Sequence, residues 1–90
     1  MHAVVFHVDV KQNWEGDADA ELDFLVGMLR STPGFVRGTW VGNGKEAMSL
    51  LLFETEEVAR GVADSAAMPP EASVSLRRVD VYEVHRDTGG

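Results

Sequence analysis

The chain has no cysteine among its 90 residues. That excludes a disulfide framework and a thiolate zinc site, and small chains lacking both commonly gain burial by oligomerising. Basic residues are scarce as well: 8 Lys and Arg face 15 Asp and Glu, for a formal net charge of -7. Such a surface opposes a phosphate backbone, so nucleic acid is not an expected partner. The one concentrated basic feature is Arg77-Arg78, whose two guanidinium groups strand alternation would send to opposite faces of a solvated edge. Long hydrophobic runs are missing too. The opening stretch from Met1 carries no Lys or Arg and is broken by His7 and Asp9, so it reads as neither a signal peptide nor a membrane span. A cytoplasmic chain with no membrane partner is expected. His2, His7 and His85 fall at different ends of the fold derived below, which leaves them too dispersed to bind a metal.

What is present is pattern. Val4, Phe6, Val8 and Val10 alternate with Ala3, Val5, His7 and Asp9, which predicts a strand over residues 2–10. After a polar loop around Trp14, Asp17 supplies a capping carboxylate for a helix running to about Arg30. Leu22, Leu25, Val26 and Leu29 form its apolar stripe, with Phe24 and Met28 widening one side, and Pro33-Gly34 lies beyond its end. Phe35 to Val41 and Met48 to Phe53 read as two strands joined by Gly42-Asn43-Gly44, a hairpin turn that lacks the strand-to-helix setting of a phosphate loop. Thr55 caps a second helix that cannot pass Met68-Pro69-Pro70, and Val74 to Val84 closes the chain as a final strand. Residues 1–86 form a single domain, and 87–90 are expected as a frayed tail.

This βαββαβ order is that of the α+β, ferredoxin-like split fold. Right-handed crossovers then give an antiparallel sheet in the order 4-1-3-2 with both helices on one face. A sheet with its second face in water should alternate cleanly, yet Leu51 and Phe53 oppose Met48, Leu50 and Leu52, and Val5 opposes Val4 and Phe6. Both faces of the central strands are apolar, which predicts a homodimer closed sheet to sheet.

The opening strand, Pro33-Gly34-Phe35, the run ending Phe53-Glu54-Thr55-Glu56-Glu57 and the closing Val79-Asp80-Val81-Tyr82-Glu83-Val84 together resemble the dimeric α+β barrel superfamily, most closely its antibiotic-biosynthesis-monooxygenase-like group. The resemblance spans roughly the whole chain. It implies a pocket between sheet and helices in each subunit and a dimer barrel on the other face. Members include cofactor-free monooxygenases of aromatic polyketides and quinols, and haem-degrading monooxygenases. The latter carry an asparagine on the first strand, a tryptophan ending the third and a histidine iron ligand on the second helix. Here those places hold His7, Phe53 and no histidine, so haem degradation is disfavoured and no cofactor is expected.

His7 shares a strand face with Ala3 and Val5 that, by the resemblance, looks into the pocket, where an imidazole could deprotonate a phenol or quinol. The competing reading is a hydrogen-bonded histidine with a structural role. Asn13, Trp14 and Met68 gather at one end of the sheet, and with Phe53 and Tyr82 they are candidates for holding a flat aromatic ligand. Trp40 is open between pocket and dimer core. Two functions follow: a cofactor-free monooxygenase, or a non-catalytic dimerisation or ligand-sensing module. If Phe24, Met28, Phe53 and Tyr82 fill the space under the helices, no cavity remains and the second is favoured.

Overall fold

Asp17 and Thr55 set where the helices begin. Asp17 Oδ1 accepts a hydrogen bond from the Ala20 amide at 3.1 Å, and Thr55 Oγ1 accepts one from Val58 at 3.2 Å, each satisfying a first-turn donor. The computed structural model describes residues 1–88. Its elements run β1 (His2–Val10), α1 (Ala18–Arg30), β2 (Phe35–Gly42), β3 (Glu46–Phe53), α2 (Glu56–Asp64) and β4 (Val74–Glu83). The third strand starts two residues earlier than the apolar run predicts. Asn43 Oδ1 accepts from both Lys45 and Glu46 amides, which closes the turn tightly enough for pairing to resume at Glu46.

The four strands form one sheet in the order β2-β3-β1-β4, with every neighbouring pair antiparallel. Counted from the other edge this is the expected 4-1-3-2 arrangement. At the corner after α1, Gly34 adopts a φ of 86°, a left-handed conformation natural to glycine, and its carbonyl accepts from Glu54 at 2.8 Å. That bond ties the start of β2 to the end of β3.

Val4, Leu51 and Phe53 pack with Leu29 of α1 and Ala59 of α2 to make the core. The helices therefore cover the face of β1 that carries Val4, Phe6 and Val8. This corrects the expectation for Ala3, Val5 and His7, which line the opposite, open face. Alternation alone divides a strand into two faces without saying which one is covered.

The helices are seated unequally. α2 lies against β1, β3 and β4. α1 buries only Leu29 fully, with Leu25 packed beside it, while Phe24 is 71% exposed and Met28 55%. Those two residues, four apart, point outward and fill nothing under the helix. The N-terminal half of α1 is moored instead by Glu21, whose carboxylate accepts from the Ser73 amide at 3.0 Å and from the Ser73 hydroxyl.

β4 departs from plain alternation. Its register against β1 shifts between His7 and Val8, leaving Arg77 as the extra residue of a bulge. Arg77 pairs with Asp9 and Glu46, and Arg78 with Asp80, all carboxylates of the open face. The two guanidinium groups thus serve one face, where opposite faces were expected. At the C-terminus Asp87 pairs with Arg37. Of the tail expected to fray, Gly89 and Gly90 lie outside the described residues.

No helix among the described residues is long and apolar enough to cross a membrane.

Candidate functional site

A second bulge shapes a part of the helix-covered face beside α1. β2 pairs Phe35 with Phe53 and then Arg37 with Leu52, so Val36 is the surplus residue. The slip places Phe35, Gly38 and Trp40 on one face, toward the helices, and leaves Arg37 beside Leu52 on the other. Phe35 meets Phe53 edge to face at 5.7 Å between ring centroids, a favoured aromatic geometry.

Between this stretch of β2 and the C-terminal half of α1 lies a cleft of about 320 Å³, lined by Val26, Arg30, Phe35, Val36, Arg37, Gly38 and Trp40. Small-molecule sites span roughly 300 to 1,000 Å³, so this one sits at the lower end. Its floor is built by close approach. A Cβ on Gly38 would come within 2.8 Å of the Trp40 ring, so the indole can settle across the strand only because residue 38 has no side chain. The Trp40 Nε1 donor is shielded from solvent and has no acceptor among the described residues. Buried polar groups are nearly always paired, so this donor is an exception, as are His2 Nδ1 and His7 Nε2.

Charge at the cleft is uneven. Arg37 is engaged by Asp87, whereas Arg30, in the last turn of α1, makes no ion pair among the described residues. No carboxylate, imidazole, thiol or phenol lines the space.

The residues singled out from sequence are scattered relative to this cleft. Phe53 is wholly buried and borders it only through Phe35. His7 stands on the open face, with Nε2 3.3 Å from Asp80 Oδ2, near enough for an ion pair but not aligned for a hydrogen bond. Arg78 Nε approaches the same oxygen at 3.0 Å. Tyr82 is on that face too and 51% exposed. Trp14 donates from Nε1 to the Glu71 carbonyl at 2.9 Å and its ring covers Gly16, closing the loop between β1 and α1 onto the loop before β4. Asn13, in the same loop, is exposed with a φ of 60°. Met68 is half-buried between α2 and β4. Asn13, Trp14 and Met68 therefore belong to the sheet end where β1 finishes and β4 begins, whereas Phe35 belongs to the other.

Val26, Arg30, Phe35 and Gly38 were not singled out from sequence as ligand contacts, and Trp40 was left open between pocket and dimer core. The available signal was Gly38 two residues before Trp40, a glycine inside a strand at the spacing that puts both on one face.

The open face forms a second surface. Val5, Leu50 and Leu52 lie at its centre with Met48, Val41 and Tyr82 around them, and the last three are exposed. Among the described residues, no group of three or more His, Cys, Asp or Glu is arranged to hold a metal.

No family model matches the chain, and no curated protein does so. Solved structures do. The haem degrader MhuD from Mycobacterium tuberculosis, with two haems bound in its active site, superposes with a TM-score of 0.65 at 16% identity, over 99% of this chain and 100% of that one. A point mutant of MhuD with two manganese protoporphyrin IX molecules per active site matches at 0.57 and 18% identity, over the full length of both chains. At such identities the likeness is one of fold. It agrees with the resemblance to the antibiotic-biosynthesis-monooxygenase-like group at that level.

Proposed function

We propose that the protein is a homodimer that binds a flat, apolar phenol or quinol in the cleft between α1 and β2 and oxygenates it without a cofactor. The observation that carries the proposal is the cleft itself, with its aromatic and glycine floor. The aromatic faces of Phe35 and Trp40 beside Gly38 would stack on a flat ring. In the reaction a quinol takes one atom of dioxygen at a ring carbon and is released as the hydroxyquinone, while the second atom leaves as water. The substrate supplies all four electrons. The protein's part is orientation.

Porphyrin, the ligand in the two structural neighbours, does not suit this site. The lining offers no imidazole, thiolate, phenolate or carboxylate to an iron, and α2 contains no histidine.

His7 faces away from the cleft, so it is not the base for chemistry there. Toward a ligand held between two sheets it would be well placed, beside Asp80 and Arg78. The dimer is supported by the apolar open face and by the small size of the chain, for which added burial is worth a great deal. The lack of cysteine agrees with a cytoplasmic setting.

The absence of any acid or base on the lining favours a second reading, in which the cleft binds its ligand without turnover. Calorimetric titration with 1,4-dihydroxynaphthalene, run beside an oxygen electrode, separates the two. Binding with oxygen uptake and water as the reduced product supports oxygenation, and binding without uptake supports the sensing module. Val26→Trp should fill the cleft and weaken binding at least about tenfold with the circular dichroism spectrum retained. Undiminished binding by that variant would remove the cleft from the function.

A further inference from the structure

We infer that the cleft selects an aromatic ligand bearing a carboxylate, with the ring against Phe35 and Trp40 and the carboxylate on the guanidinium of Arg30. The inference rests on the cleft being the ligand site and adds the ligand's charge to it.

Four of the five other arginines of this chain are matched to carboxylates, and Arg86, beyond the last strand, is not among them. Arg37 pairs with Asp87, Arg60 with Glu56, Arg77 with Asp9 and Glu46, and Arg78 with Asp80. In a chain with 15 acidic and 8 basic side chains, carboxylate partners are plentiful. Arg30 nonetheless makes no ion pair among the described residues, although it lines the cleft. The acidic residues of its own helix, Asp19, Glu21 and Asp23, occupy the first half of α1. Asp23 is seven residues away, about 10 Å along the axis, and Glu21 is already held by Ser73.

A helix C-terminus ordinarily discourages an anion, because its last carbonyls carry partial negative charge. Here that end is partly neutralised. The hydroxyl of Ser31 donates to the Gly27 carbonyl at 2.9 Å and that of Thr32 to the Met28 carbonyl at 3.1 Å. The guanidinium is left as the dominant charge at the rim. Its planar fork matches a carboxylate through two parallel hydrogen bonds, and its aliphatic stem extends the apolar wall. Elsewhere the net charge of -7 repels anions, so the selectivity is local to Arg30.

The test uses a matched pair of probes, 2-naphthoate and its neutral analogue 2-naphthamide, titrated calorimetrically into the full chain. Naphthoate should bind more tightly by roughly fivefold, the range for a partly exposed charged hydrogen bond. Arg30→Gln should weaken naphthoate by about that factor while leaving naphthamide within about twofold, and Arg30→Lys should restore part of the loss. Equal affinities for the two probes, or equal weakening of both by Arg30→Gln, overturn the inference. If the affinities are equal but Val26→Trp still abolishes binding, the cleft stands and only its charge preference falls. If neither probe binds, or Val26→Trp changes nothing, the cleft reading falls with it.

Discussion

Trp40 lies over Gly38 on the floor of the cleft, and the contact leaves no room for another carbon. A Cβ at 38 would meet the indole at 2.8 Å and Leu51 Cδ2 at 2.9 Å, and Leu51 is itself buried in the core. Gly38→Ala should therefore cost about 1–3 kcal/mol of stability, as overpacking does. Urea denaturation followed by tryptophan fluorescence would measure it. An unchanged midpoint would mean that the indole does not rest there.

Phe53 is fully buried and braces Phe35 from behind. Phe53→Ala removes a large side chain from the centre of a small core, and the expected loss is about 3–5 kcal/mol. That is a large share of the stability of a domain this size. The variant should be substantially unfolded at physiological temperature, visible as a collapsed amide dispersion in an NMR spectrum.

Leu50 pairs with Val5 on one side and Thr39 on the other, at the middle of the open face. Leu50→Asp should convert the proposed dimer to a monomer while preserving the far-ultraviolet circular dichroism, because no helix packs on that face. Size-exclusion chromatography with light scattering reads the mass directly. A wild type that is monomeric at micromolar concentration would sink the dimer.

The Glu56 carboxyl is held below its ordinary value of 4.5, first by the hydrogen bond from Arg60 and then by that guanidinium's charge. Its folded value is depressed, so its contribution to α2 is full above 4.5 and fades as pH falls through the folded value. Both groups are exposed and the stability effect is correspondingly small. A carbon-detected NMR titration should place Glu56 below 4.5, and Arg60→Gln should bring it back toward that value.

The order of elements was legible because each strand and helix carries its own period and its own stop. Asp17, Pro33-Gly34, Thr55 and Pro69-Pro70 are local signals that act without help from the rest of the chain. The site was not legible, and the reason lies in two residues. Val36 and Arg77 are bulge positions, and each reverses the alternation on one side of itself. Counting by twos from Phe35 puts Trp40 on the opposite face, whereas the bulge brings the two together over the cleft. His7 was misplaced for a different reason: both faces of β1 are apolar enough to be the buried one. Arg30 gave no signal because a basic residue in a last helical turn already has an ordinary explanation in the helix dipole.

The uneven seating of α1 also bears on the rigidity of the cleft. The helix is fastened by Glu21 to Ser73 at one end and by Leu29 to the core at the other, with little burial between. Its amides should exchange with solvent through partial opening that leaves the sheet intact, well before those of β1 and β3. A bound ligand stabilises only the closed form, so saturation should slow exchange in α1 more than anywhere else in the chain. The wall of the cleft formed by α1 is therefore its softer side, and the wall formed by β2 its rigid one.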